Sequence, residues 1–314
     1  MALKIDPQVL DGLSRFASAD AVTPPVGDVA TRRANSAELF ERLAATRTPT
    51  PGIERTDYTA AAHDGAEIGL AWFAGASPSG AAVVYLHGGG MILPMQRLYD
   101  GAMRAYAAAS GASMLLVDYR VAPEHPHPTP VEDCYTGLVW LAEHSEELGI
   151  DPTRIAVMGD SAGGGLAAGV ALLARDRGGP ALAQQILIYP MLDDRTVEPD
   201  PQLPPEYLVW NYEDNRTGWG ALLGDAAGGA DVSPYAAPAR ATDLAGLPDT
   251  YIDVGDLDIF RNENIDYARR LIDAGVPTEL RVLPGCPHAF EAFAEQAAVS
   301  QRVIADRLHR LSSL

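Results

Sequence analysis

The sequence predicts an α/β protein: a mostly parallel, eight-stranded sheet flanked by helices, with a helical cap. Three observations carry this. First, there are six short strand-like runs, at 82–86, 113–117, 155–159, 185–189, 250–254 and 278–282, of which the first five are mostly apolar and continuous rather than alternating. Such runs are buried on both faces, as in a parallel sheet covered by helices. Second, helix-like stretches near 97–109, 130–147, 162–176, 259–274 and 294–311 alternate with them. Third, the interval 191–248 is too long for a structureless loop. It is rich in proline, glycine and aromatic residues, and "PEYLVWNYEDNRTGWGALLG" within it reads as helix, so a lid or binding region is expected there.

Ahead of the sheet, residues 7–19 and 31–46 read as helices. In "NSAELFERLAA", Asn35 or Ser36 is a candidate N-cap, Glu38 lies in the first turn, and Leu39, Phe40 and Leu43 share a face. "TPTPG" at 48–52 breaks this pattern. Two strand-like runs follow at 57–62 and 67–73, joined by "HDG", a hairpin signal; they bring the strand count to eight. Residues 1–50 are therefore expected to be cap helices. Residues 51–314 form the main domain, with a further cap contribution from about 195–230.

Composition excludes several classes of function. The 314 residues are 47% hydrophobic, enough for a large core, and the formal net charge is -19. That surface repels phosphate backbones, so neither nucleic acid nor an anionic membrane is an expected partner. The longest apolar run, 162–174, is too short and too glycine-rich to span a bilayer, so no stable membrane insertion is expected. The opening "MALKIDPQVLDG" lacks an apolar signal core, and two cysteines, Cys134 and Cys286, do not make a disulfide framework. A cytoplasmic location is the expectation. Lys4 is the only lysine. Schiff-base chemistry, a phosphate-binding lysine and a Ser-Lys dyad each need a well-placed one.

The chemistry gathers around "VMGDSAGGGL" at 157–166. Ser161 lies in G-x-S-x-G between a strand and a helix, where a sharp turn exposes the hydroxyl and demands small neighbours. A serine hydroxyl needs a base. Of seven histidines, His288 follows the run 278–282, at the strand end where parallel sheets bind ligands. His63 sits in the hairpin turn, His144 on a helix surface and His309 near the chain end. His125 and His127 in "PEHPHP" lack acidic or cysteine partners at ligand spacing, so no metal and no cofactor are expected. The base needs an orienting carboxylate, and "GDLDIF" offers Asp256 and Asp258, between which spacing does not choose. "HGGG" at 87–90 supplies a flexible backbone whose N–H groups, with that of Ala162 at a helix start, can stabilise an oxyanion.

These motifs together resemble the hormone-sensitive-lipase-like family of α/β-hydrolases, the bacterial family IV carboxylesterases. The resemblance runs from about residue 82 to 290 and rests on "HGGG" at 87–90, "DYRVAPEHPHP" at 118–128, "GDSAGG" at 159–164, "DIFRNE" at 258–263 and "HAF" at 288–290. It implies the α/β-hydrolase fold and a serine carboxylesterase acting on a small-molecule ester, as a monomer or a homodimer. It also implies Ser161 as nucleophile, His288 as base and Asp258 as acid, with an oxyanion hole from two amides among Gly88, Gly89 and Gly90 plus that of Ala162. His87, Arg120 and Glu124 would brace the oxyanion loop. Three positions depart from the family pattern: Met91 where an aromatic is frequent, Pro94 where glycine often follows, and Ile259 where proline is usual.

Met91, Ile92, Leu93, Tyr207, Trp210, Trp219 and Phe290 are the expected pocket walls. Such bulky walls favour short to medium acyl chains, about four to eight carbons, over long ones. An amidase, peptidase or lactonase would use the same triad. The rival from another class is a non-catalytic small-molecule receptor, like the plant gibberellin receptor that resembles the family but lacks the catalytic histidine; His288 argues against it.

Overall fold

The computed structural model describes residues 3–16, 23–45 and 50–314. In chain order the elements are α1 (Pro7–Ser14), α2 (Val29–Ala45), β1 (Ile53–Ala61), β2 (Glu67–Gly75), β3 (Ala82–Leu86), α3 (Asp100–Ser110), β4 (Ser113–Asp118), α4 (Thr129–Glu143), β5 (Ile155–Asp160) and α5 (Ala162–Arg177). They continue with β6 (Gln184–Ile188), α6 (Tyr212–Leu223), β7 (Asp249–Gly255), α7 (Arg261–Asp273), β8 (Thr278–Leu283), α8 (Phe290–Phe293) and α9 (Ala298–Ser312). The strands form one sheet in the order β1-β2-β4-β3-β5-β6-β7-β8. β2 runs antiparallel to both β1 and β4, and every other neighbouring pair is parallel.

Period-two alternation divides the apolar strand residues between the two faces. Val84, Leu86, Leu115, Val117, Val157 and Leu187 join one cluster with α4, α5 and α7. Val83, Tyr85, Met114, Leu116, Met158 and Ile188 join the opposite cluster with Met103 of α3 and Leu311 of α9. Both faces are covered, which is why these strands read as unbroken apolar runs. Each fully buried Leu, Ile or Val contributes roughly 1.5–3 kcal/mol by leaving water. A third cluster joins Val9 of α1 to Leu283, Cys286, Phe290 and Val303.

Helix starts differ from the sequence pattern where local hydrogen bonding outweighs it. α2 begins at Val29, because the Asp28 carboxylate accepts the Thr31 N–H at 3.0 Å; Asn35 and Ser36 lie inside the helix rather than at its cap. The stretch "PEYLVWNYEDNRTGWGALLG", which begins at Pro205, is not one helix. It holds a single 3-10 turn at Pro205–Tyr207, and α6 starts only after Asn211, which caps it reciprocally with Asp214. The expected helix over 294–311 starts later, as α9 at Ala298, with Ala297 extended before it; the short α8 ends at Phe293, ahead of the expected range. Residues 17–19 and 46 of the expected N-terminal helices, part of the "TPTPG" breaker and the side chain of Phe40 lie outside the described residues. Among those described, no helix is long and apolar enough to cross a membrane.

Candidate active site

The strand order reverses at the β3–β5 pair, since β4 lies on one side of β3 and β5 to β8 follow on the other. A crevice opens at the C-terminal ends of strands at such a point. "HGGG" leaves β3 there, Ser161 follows β5, Asp258 follows β7 and His288 follows β8.

Ser161 has φ 56° and ψ −120°, a conformation costing a non-glycine residue about 1–3 kcal/mol. Its surroundings hold it there. Its N–H donates to Ile188 O at 2.8 Å, and its carbonyl accepts the Gly165 and Met191 N–H groups at 3.0 and 2.9 Å. The turn is so tight that a Cβ at Gly163 would lie 2.0 Å from Leu86 O, and one at Gly159 would lie 2.3 Å from Gly163 O. No side chain fits at either position.

Ser161 Oγ lies 2.9 Å from His288 Nε2, and His288 Nδ1 lies 2.6 Å from Asp258 Oδ2. The second Asp258 oxygen accepts the Phe260 N–H at 2.9 Å. All three side chains are buried. The edges of Tyr189 and Phe260 flank the imidazole, at centroid distances of 4.7 and 5.2 Å. Asp256 turns elsewhere: its carboxylate accepts the Gly285 N–H at 2.7 Å and ties down the loop leading to His288. A hydroxyl, imidazole and carboxylate in this order can move a proton from oxygen to nitrogen and stabilise the cation formed.

The glycine loop is more differentiated than its sequence. The Gly88 N–H is already engaged by Tyr99 Oη at 3.0 Å and Asp160 Oδ1 at 3.2 Å, so it does not face the serine as an oxyanion donor. Among the described residues, no hydrogen bond occupies the N–H groups of Gly89, Gly90 or Ala162. His87 is fully buried and stacks on Tyr119 at 4.3 Å, with Nδ1 2.7 Å from Gly88 O. Burial pushes its imidazole down to about 4, so the ring is neutral near pH 7. Arg120 does not touch this loop. It pairs with Asp64 in the β1–β2 turn and with buried Asp133 on α4. Among the described residues, Glu124 reaches the loop only through Arg33 of α2.

The expected pocket walls separate into three settings. Tyr207 and Trp210 keep exposed surface. The Trp210 ring lies against Gly90, where a Cβ would come within 2.2 Å of Cη2. Met91, Ile92, Leu93 and Trp219 belong to the main core. Phe290 is not a wall: it packs with Val9 and Val303 in the separate cluster beneath α1. Its place beside His288 in sequence does not carry over, because Ala289 has φ 53° and turns the chain between them. Behind Asp258 lies a polar cavity of about 190 Å³, bounded by Thr196, Asp200, Tyr212, Arg261 and Asn262.

Sequence reasoning missed Asp160. Its buried carboxylate accepts from the Tyr85 and Tyr99 hydroxyls at 2.9 and 2.6 Å as well as from Gly88. Burial, with no arginine on it, pushes its carboxyl above the usual range. The available signal was an acid closing an apolar strand. Glu263 was also missed. Buried at the start of α7, it accepts the Leu192 N–H at 2.6 Å and the Thr196 hydroxyl, anchoring the chain that leaves β6. Among the described residues, no group of three or more His, Cys, Asp or Glu side chains is arranged to hold a metal.

Residues 83–292 match the family described as having the α/β-hydrolase fold. The carboxylesterase NlhH of Mycobacterium tuberculosis is 40% identical over 225 residues, covering 68% of this chain and 67% of its own. The esterase LipI of the same species is 39% identical over 218 residues, covering 68% and 66%. A bacterial heroin esterase superposes with a TM-score of 0.88 at 37% identity, covering 99% of this chain and 98% of its own. The chain belongs to the α/β-hydrolase family, in its hormone-sensitive-lipase-like branch of carboxylic ester hydrolases.

Proposed function

We propose that this carboxylesterase works through an acyl-enzyme formed on Ser161. Ser161 Oγ attacks the ester carbonyl carbon while His288 Nε2 takes the hydroxyl proton. Asp258 keeps Nδ1 protonated and stabilises the imidazolium. The negative oxygen of the tetrahedral species is held by the N–H groups of Gly89, Gly90 and Ala162, each worth roughly 3 kcal/mol of barrier. The species collapses with cleavage of the carbon–oxygen bond to the alcohol, which leaves with the proton from His288. Water then attacks the acyl carbon, giving its proton to His288, and the carboxylic acid departs as Ser161 Oγ is reprotonated. The observation that carries this reading is the hydrogen-bonded series Ser161–His288–Asp258, at 2.9 and 2.6 Å, beside three unengaged amides.

The cap in this reading is α2, from the expected N-terminal cap of residues 1–50, together with residues 195–230, whose half-buried Tyr207 and Trp210 limit the acyl side. Short to medium acyl chains, about four to eight carbons, are the favoured substrates, since Trp210 sits directly on Gly90. The two cysteines are free and buried, in keeping with a reducing, cytoplasmic setting. Pairing into a homodimer would leave the chemistry intact, because Ser161, Asp258 and His288 come from one chain.

The test is turnover of p-nitrophenyl esters from acetate to palmitate by wild type and Ser161→Ala. We expect a maximum at short to medium chains and a loss of about four to six orders of magnitude in kcat for the variant. Activity surviving at a tenth of wild type would remove Ser161 from the role. A maximum at palmitate would overturn the pocket.

A further inference from the structure

Arg33 lies on α2, far in sequence from every motif, yet its guanidinium makes four hydrogen bonds at the oxyanion loop and the segment beside it. Nε donates to Ile92 O at 2.7 Å, Nη2 to Ala122 O at 2.9 Å, and Nη1 and Nη2 each to a Glu124 carboxylate oxygen at 2.7 Å. The Glu124 carboxylate beside it holds the guanidinium charged, and Arg33 in turn holds Glu124 down to about 2. The neighbouring Arg32 points the other way, to Asp214 on α6 at 2.8 Å and to the carbonyls of Pro24, Pro25 and Asp28.

What Arg33 grips is the turn that aims the oxyanion donors. Gly89 O accepts the N–H groups of both Ile92 and Leu93 at 3.0 Å. In a trans peptide the C=O and the following N–H point in opposite directions. Fixing Gly89 O toward Ile92 and Leu93 therefore fixes the Gly90 N–H away from them. This turn is not self-supporting, because Met91 inside it has φ 64°, which a methionine adopts only under constraint. Two bonds from outside supply the constraint: Ala122 N–H to Met91 O at 2.9 Å, and Arg33 to Ile92 O. Arg33 also holds Ala122 O, so both external supports converge on one side chain. A planar fork of charged donors suits four acceptor oxygens at fixed angles as a lysine ammonium does not.

We infer that Arg33 is a positioning residue for the oxyanion hole, through which the docking of α2 sets the direction of the Gly90 N–H; this rests on the acyl-enzyme reading above. Arg33 touches no substrate. Its loss loosens a donor that acts mainly in the transition state, so the effect falls on kcat rather than KM.

The experiment compares wild type, Arg33→Gln, Arg33→Lys and Arg32→Gln by p-nitrophenyl butyrate kinetics, phenylboronic acid inhibition and thermal melting. Arg33→Gln should lower kcat by roughly tenfold to a hundredfold with KM within about threefold, a part of the effect of deleting a donor outright. The inhibition constant of phenylboronic acid, whose serine adduct is tetrahedral, should rise by a similar factor. Arg33→Lys should recover part of the loss. Arg32→Gln, which frees α2 from α6 but leaves the turn held, should shift melting without that kcat loss. Equal kcat losses from Arg32→Gln and Arg33→Gln, or a loss seen only in KM, would reduce Arg33 to a cap anchor and overturn the inference. If Arg33→Gln does not fold, wild-type kcat in Arg33→Lys overturns it equally. A wild-type protein without ester turnover would instead sink the acyl-enzyme reading itself.

Discussion

Asp256 and Asp258 lie two residues apart, and only the second reaches the imidazole. The strand pattern left both open because extended chain sends residues two apart to the same side. β7 ends at Gly255, however, and the chain turns at once, with Asp258 N–H bonded back to Gly255 O at 3.3 Å. Asp258→Asn should cost kcat about four orders of magnitude, because an amide cannot hold the required histidine tautomer. Asp256→Asn keeps an oxygen acceptor for Gly285 and should cost less than about tenfold. Steady-state kinetics of the two variants check the order, and its reversal would move the acid to Asp256. His87 gives a prediction about pH. The folded protein holds its imidazole near 4, against 6.5 in an unperturbed chain. Between those values the unfolded chain binds a proton that the folded chain refuses. The His87 contribution is complete above about pH 6.5, shrinks as pH falls, and should lose roughly 2 kcal/mol between pH 7 and pH 5. Urea unfolding at both pH values should show a smaller decline in His87→Gln than in wild type. An identical decline would contradict the assignment.

Among the elements, α9 is fastened to the sheet by charge as well as by apolar packing. Arg307 is buried and donates two bonds of 2.7 Å to Asp253 on β7 and one of 2.6 Å to Glu291 on α8. Tyr189, whose ring edge meets His288, also donates to Glu291. Burial already pushes the Asp253 carboxyl upward. Arg307→Met removes the cation and leaves that carboxylate unpaired in the core, which should cost about 3–5 kcal/mol in denaturant unfolding. A loss below about 1 kcal/mol would mean that water or a proton replaces the arginine readily. Nothing in the sequence around Arg307 announces this role, since "ADRLHR" reads as an ordinary polar helix face. The strands were legible because burial on both faces leaves no polar positions in the run, as in "AVVYL" of β3. The stretch after Pro204 was not, because prolines and Asn211 override helix propensity through local caps. Likewise, the serine, histidine and glycine loop could be placed from their strand ends. The engagement of Gly88 by Asp160 and Tyr99 depends on a contact across 72 residues that no local pattern encodes.

At the scale of the whole molecule, the net charge of -19 bears on substrate choice. It should disfavour esters that carry a carboxylate, and the penalty should fall with added salt as the field is screened. The measurement is kcat/KM for paired neutral and anionic esters at low and high ionic strength. A preference for the anionic partner at low salt would overturn it.

The proposed reacting groups, Ser161, Asp258 and His288, come from chain regions 127 and 30 residues apart, so neither contact exists until the β5, β7 and β8 ends lie in their final register. A partly assembled molecule keeps Ser161 as an ordinary, inert alcohol. Reactivity toward a serine-directed covalent label is thus a population count of completed molecules. Followed during refolding, labelling should lag behind the return of helical signal, and its final extent should measure the native fraction in any preparation.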